Sequence, residues 1–362
     1  MKVSYRQLAA YFLKAGSIGF GGPLALVAMM EQECVHRKQW VTRERFESSF
    51  VFCKMLPGPM AYQMALWVGY EVRGVLGGLL AGICFVLPAA TLLYLFAKFY
   101  QNLSSLSSAN AVLDGMRIGA LVIILQSVYS LFLPYRREVA AWIYCVFGAL
   151  AMVFIPRAEP LIILAGGFLS LVAHRSQLYR VKTSLGSVLL ALWWTHFKAG
   201  AFVFGTGLAI IPVLQKEIVD VYGWLSQREF LDALAFAQVT PGPVTTMSAF
   251  VGYKVAGDLG ALTASIGMYL PGALLILGVL PRLRKKLEAR EELHQFQIGA
   301  VPTVIGCLVT ASIGLLISGL TDPPRVGLFI FLLVIQIRMQ WPPWLVILLG
   351  SGFQTILQFF FF

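Results

Sequence analysis

The sequence predicts an all-α polytopic membrane protein made of two inverted-topology repeats, with about ten crossings and with broken or re-entrant helices. Three observations predict it: an apolar composition, a self-match at a fixed offset, and a Pro-Gly-Pro interruption that occurs once in each half. Of the 362 residues, 58% are hydrophobic and 12% charged, against about a quarter charged in an ordinary soluble domain. The apolar runs are roughly 20 residues long, the length of helix that crosses a bilayer, and no alternating barrel strands are seen. The N-terminus lacks a compact apolar core with a small-residue cleavage site, so it is expected to stay in the mature chain.

Composition also excludes several classes. The formal net charge is +11, and in a membrane protein Lys and Arg in cytoplasmic loops explain it better than nucleic acid does. Cys34, Cys53, Cys84, Cys145 and Cys307 show no CxxC spacing and read as small core residues, with no disulfide framework or metal site. His36, His174, His196 and His294 are scattered. No nucleophile with a base and no carboxylate–histidine cluster is visible, so the chain is read as a non-enzyme that needs no cofactor.

Offset by 184, the chain matches itself. Lys14-Ala15-Gly16 falls on Lys198-Ala199-Gly200, Glu33 on Glu217, Trp40 on Trp224 and Pro57-Gly58-Pro59 on Pro241-Gly242-Pro243. One deleted residue later, Gly74 falls on Gly257 and Pro88 on Pro271. The halves are therefore 1–183 and 184–362. The uncharged stretch "YQNLSSLSSAN" has the counterpart "PRLRKKLEAREE", and the positive-inside rule puts these on opposite sides of the membrane. "PYRRE" and "HRSQLYRVK" then fall inside and "TDPPR" outside, so the repeats are inverted.

Inversion needs an odd number of crossings per half. The first half shows apolar segments near 5–30, 48–70, 74–100, 110–133, 138–155 and 159–174, one too many. Oddness returns if one of the first two, interrupted by "GFGGP" or "PGP", enters and leaves on the same side. That arrangement places Lys2 and Arg6 outside. The polar stretches between the breaks read as interfacial, with Thr42 and Ser226 as N-caps ahead of "RERF" and "QREF".

Proline inside a helix removes a donor and clashes with the preceding turn, so Pro-Gly-Pro makes the helix stop and restart. A restarted helix presents unpaired N–H groups and the positive end of its dipole, which suits an anion, and inverted-repeat transporters place such ends at the midplane. The candidate substrate-binding residues are Gly21, Gly22, Pro23, Lys54, Pro57, Gly58, Pro59 and Gln63 in the first half. In the second they are Gly205, Thr206, Gly207, Pro241, Gly242, Pro243, Thr245 and Thr246.

"FGGP", an acidic and basic stretch ending in Trp, then "MLPGP", "GY", a Gly-rich turn and "FVLPAA" resemble the chromate ion transporter family. The run from "FGTGLAIIP" to "TPGPVTTMSAFVGYKVAG" is similar to that family's C-terminal half. The resemblance covers nearly the whole chain and implies a long, fused, two-domain member. Such a member moves chromate, a divalent oxyanion, across the cytoplasmic membrane, usually outward and driven by an ion gradient. Three departures bear on the substrate. Thr206 stands where glycine is commoner, Met60-Ala61-Tyr62 replaces more polar residues, and Lys54 replaces an uncharged one. The second half keeps Thr245, Thr246 and Ser248 as hydroxyl donors.

A charge near the bilayer centre costs about 2.5–3.5 kcal/mol on insertion scales. Lys54, one turn before Pro57, is therefore read either as a counter-charge to a bound dianion or as snorkelling or pairing with Glu71 or Asp114. Lys14 and Lys198 precede their breaks by roughly 9 Å of helix and fit a vestibule or an interfacial anchor. Asp114 and Arg117 form a possible i, i+3 pair, and Asp114 or Glu71 is a candidate carrier of a coupling proton. The competing readings are a transporter of another inorganic or organic anion, or an anion channel. The expected partners are the oxyanion and the lipid bilayer, with a homodimer possible.

Overall fold

In the computed structural model the described residues are 3–104, 107–154, 185–201, 210–279, 281 and 291–361. They are helical and, among themselves, contain no strand. The first half opens with α1 (Tyr5–Ile18), α2 (Gly22–Glu31, prolonged by a wide turn over Gln32–Arg37) and α3 (Arg43–Met55). It continues with α4 (Met60–Ser104), α5 (Ser107–Phe132) and α6 (Val139–Phe154). The second half repeats the series as α7 (Leu185–Ala201), α8 (Ile211–Gln215, prolonged over Lys216–Val221), α9 (Gln227–Val239), α10 (Met247–Ala273), α11 (Glu291–Gly319), α12 (Pro323–Met339) and α13 (Pro343–Phe361). The wide turns of the two halves are 184 residues apart at both ends. Residues Gln39 and Gly223 both take left-handed backbone (φ 51° and 61°). The boundary near 184 lies outside the described residues.

Helix α4 is two helices. At Arg73 (φ −141°, ψ 20°) and Gly74 (φ 65°, ψ −159°) its backbone leaves the helical region. A Cβ on Gly69 would lie 2.3 Å from the Gly77 carbonyl oxygen, although eight residues of straight helix span about 12 Å. The chain therefore turns back on itself, and Tyr62 and Leu66 reach Gly82 on the returning arm. The arms are α4a (60–72) and α4b (75–104). Ala256 (φ −146°, ψ 30°) and Gly257 (φ 60°, ψ −146°) make the same turn in α10, dividing it into α10a (247–255) and α10b (258–273). Positive φ is why both turns use glycine. The sequence's separate segments at 48–70 and 74–100 meet at this reversal.

The interrupted segments double back as well. Arg45 at the start of α3 donates to Glu71 at the end of α4a at 2.8 Å, whereas 26 residues of unbroken helix would separate them by about 39 Å. In the second half Lys254 and Glu229 close the same mouth at 2.9 Å, with the charges exchanged. Helices α1 and α2 fold back too, with Tyr11 edge-on to Trp40 at 5.6 Å, and Lys198 bridges to Glu217 at 2.6 Å in the equivalent place. Both of the first two segments of the first half, and the Pro-Gly-Pro segment of the second, are therefore helical hairpins with a break at the tip, where the sequence expectation had one such segment per half; the tip of the second half's first segment lies outside the described residues.

Parallel pairs across the halves fix the relative direction of the repeats. Arg325 reaches Asp114 at 3.0 Å and Gln336 reaches Gln126 at 2.6 Å, so α12 runs alongside α5 in the same sense. Gly306 meets the Cys145 carbonyl and Thr310 bonds the Ala149 carbonyl at 3.3 Å, so α11 runs alongside α6. Successive helices reverse, because α6 follows α5 through a short turn at Leu133–Tyr135. Equivalent members, α5 with α11 and α6 with α12, therefore point in opposite directions, and the repeats are inverted. Each half packs its fifth helix against the other half's sixth, and this exchange joins them into one body.

One orientation expectation is corrected. Arg73 at the α4 reversal lies over the Tyr5 ring at 5.0 Å and donates to the Val3 carbonyl. The chain start therefore shares a face with that reversal. From there α4b crosses to the opposite face and α5 returns, which brings Arg136 and Arg137 back to the starting face. Arg6 thus lies on the same side as "PYRRE", not opposite to it, because two hairpins rather than one precede the first crossing. Lys2 lies outside the described residues.

Candidate functional site

The described tips, at the first-half breaks and the second Pro-Gly-Pro, meet at the contact between the halves. The Gly242 N–H, inside the second Pro-Gly-Pro, donates to the Gly19 carbonyl at the first-half "GFGGP" break at 2.8 Å. A Cβ on Gly242 would come within 2.9 Å of Ala89 Cβ, next to Pro88. A Cβ on Gly272, beside Pro271, would lie 3.6–3.7 Å from Tyr62 and Gln63, on the helix that restarts after the first Pro-Gly-Pro. Each Pro-Gly-Pro loop thus sits against the proline-bearing long helix of the other half. Tyr269 joins the two restarts, its ring 4.7 Å from Tyr62 and its hydroxyl 2.9 Å from Thr245 Oγ1.

The helix starts at the tips differ from those elsewhere. At the chain start, at the two mouths and in the turn before α12, Ser4, Thr42, Ser226 and Asp322 each accept an N–H of their own first turn. At the tips, Gly21, Pro243 and Thr246 supply no such side-chain bond, and Pro59, before α4a, has no side-chain acceptor. Gly21, Gly22, Gly58 and Gly242 take φ of 103°, 83°, 136° and 108°, a backbone that glycine adopts without strain. Gly58 and Pro243 are buried and Gly21 is exposed, and a helix N-terminus without a side-chain cap carries partial positive charge with no side chain of its own to satisfy it.

Of the predicted binding residues, Gly21, Gly22, Pro23, Pro57, Gly58, Pro59, Gln63, Pro241, Gly242, Pro243, Thr245 and Thr246 belong to these tips. Gly205, Thr206 and Gly207 lie outside the described residues. Lys54 is in the last turn of α3, and its side chain is likewise outside them. Two further polar groups were not singled out as ligands from the sequence, Tyr269 and Gln238. Gln238 is buried in the last turn of α9, its Nε2 without a partner.

The vestibule candidates separate from the tips. Glu71 serves the first-half mouth through Arg45, and Lys198 is tied to Glu217. Lys14 is exposed on α1. Asp114 and Arg117 do bond, as the i, i+3 spacing suggests, but Arg117 makes its bidentate contact with Asp232 on α9, at 2.5 and 2.7 Å. Tyr100 adds a third bond to Asp232 at 2.5 Å. Asp232 has no exposed surface, and the triad locks the second-half hairpin onto α4b and α5. Asp114 in turn accepts from Arg228 and Arg325. No group of three or more metal-ligating side chains occurs among the described residues.

The family pattern described as chromate transporter matches this chain twice, over residues 6–171 and 190–355, an offset that equals the internal one. A probable chromate transport protein of Synechococcus elongatus is 33% identical, covering 96% of this chain and 94% of its own length. A chromate transport protein of Cupriavidus metallidurans is 32% identical over 92% and 88%, and one of Pseudomonas aeruginosa is 28% identical over 86% and 81%. No solved structure matches significantly.

Proposed function

Because the chain belongs to the chromate transporter family, we propose that it carries chromate across the cytoplasmic membrane, outward and at the expense of an ion gradient, and binds it at the hairpin tips between the repeats. The observation that carries this reading is the contrast in capping. Helix starts at the mouths satisfy themselves, and those at the tips are left for a ligand. A tetrahedral oxyanion offers several acceptor oxygens to N–H groups arriving from opposite halves, and the dipoles contribute without a full buried charge. The positive-inside rule supports a cytoplasmic N-terminal face, which bears Arg6, Arg37, Lys38, Arg43, Arg45, Arg73, Arg136 and Arg137. That charge raises the local concentration of an anion leaving the cell.

The test is labelled chromate accumulation in inside-out vesicles, with and without the protein, under an imposed proton gradient, with sulfate as competitor. Saturable uptake that falls at least tenfold in Pro57→Ala and Pro241→Ala supports the tip site. Uptake indistinguishable from empty vesicles in both orientations contradicts the chromate assignment.

A further inference from the structure

The tips contain hydrogen-bond acceptors as well as donors. Gln63 is completely buried, and its Nε2 donates to the Pro57 carbonyl at 2.7 Å. Its amide lies over Gly58, where a Cβ would come within 2.2 Å of Nε2. The bond fixes the amide's orientation, since turning it over would set two carbonyl oxygens against each other. Gln63 Oε1 is left buried in the tip with no hydrogen-bond partner. On the opposite restart, Thr246 is also buried and donates its hydroxyl hydrogen to the Pro243 carbonyl at 2.8 Å. It therefore presents lone pairs, which revises its expected role as a donor. A buried acceptor without a donor is costly, and a fully deprotonated oxyanion has only acceptors to set against it.

We propose, resting on the tip-site reading, that the site takes the singly protonated form of the oxyanion. Its charged oxygens accept from the restart N–H groups, and its one O–H donates to Gln63 Oε1. Chromate takes up a proton near neutral pH and sulfate does not, so the same contact discriminates between two anions of like shape. A proton then travels with each anion carried in this form.

The titratable groups on the elements around the tips are Tyr62 on α4a, Tyr269 on α10b, Cys53 on α3, Cys84 on α4b and His196 on α7, which faces Gly267. The Lys54 side chain is outside the described residues. Phenols and buried thiols stay neutral across the working range, so His196 is the group whose titration has to be separated from that of the ligand. His196→Phe installs the residue that the first half carries at Phe12.

The experiment is equilibrium binding of chromate, and separately of sulfate, to the intact protein in nanodiscs between pH 8.5 and pH 6. The expected result is an apparent Kd for total chromate that falls about tenfold per pH unit on the alkaline side of chromate's own protonation and then levels off. The profile is unchanged in His196→Phe, and sulfate is bound weakly throughout. In Gln63→Met, chromate binds more weakly and the pH slope flattens. A wild-type Kd that is flat, or rises as the pH falls, overturns this proposal and leaves the tip site standing. Absence of chromate binding at every pH removes the tip site and this proposal with it.

Discussion

The two ends of each Pro-Gly-Pro hairpin are built from opposite chemistry. At the mouths, Thr42 and Ser226 cap their own helices, and oppositely charged side chains close the gap, Arg45 with Glu71 in one half and Glu229 with Lys254 in the other. At the tips, proline and glycine replace the caps, and two helices restart with no side chain on their first N–H groups. The exchange of charge signs shows what the mouths require, which is a pair, whichever partner carries which sign. The tips show the reverse tolerance. Pro-Gly-Pro is identical in both halves, while the side chains after it diverge, Tyr62-Gln63 against Thr245-Thr246. The backbone of the tip is thus shared between the halves, and its lining is what differs.

The largest expected effect lies beneath the second-half mouth. Asp232→Ala removes the bidentate partner of the buried Arg117 guanidinium and leaves it Asp114 alone, at a cost of roughly 3 kcal/mol. Thermal unfolding of the purified protein reads that loss, and Asp232→Leu combined with Arg117→Met should recover most of it. Next comes the tip itself. Gly242→Ala places a methyl 2.9 Å from Ala89 Cβ on a backbone at φ 108°, a strain of about 1–2 kcal/mol. Vesicle uptake should fall far more than stability does. Smaller again is Ser226→Ala, which removes a cap and costs about 1 kcal/mol, with the KM for chromate unchanged. The smallest is Arg45→Glu with Glu71→Lys. That double change copies the second-half mouth, so stability should stay within about 1 kcal/mol, because the pair is partly exposed.

The same contrast marks how far the sequence could be read. Caps, breaks and the 184 offset are local patterns, so Thr42, Ser226, both Pro-Gly-Pro loops and the inversion were legible. The doubling back of both interrupted segments was not, because a break states that a helix stops and not which way it resumes. Ion pairs such as Arg45–Glu71 settle that, and they link positions 26 residues apart. Asp232 escaped notice for a related reason. Its first-half counterpart is Ser48, so the repeat alignment passes over it, and its partner Arg117 lies 115 positions away. Tyr269 was hidden in the same way, opposite Val86. Asymmetric residues that act across the repeat interface leave no trace in a self-comparison.

The account rests on an anion occupying the tips and not the mouths. A direct measurement replaces the five native cysteines and places one at Ala61, in the first turn after Pro59, or at Thr42 in the mouth, and follows labelling by a water-soluble thiol reagent with and without chromate. Saturable protection by chromate of the cysteine at 61, with labelling at 42 unaffected, is the predicted result. Equal labelling at 61 with and without chromate, in a protein that still transports it, would contradict a binding site at the tips.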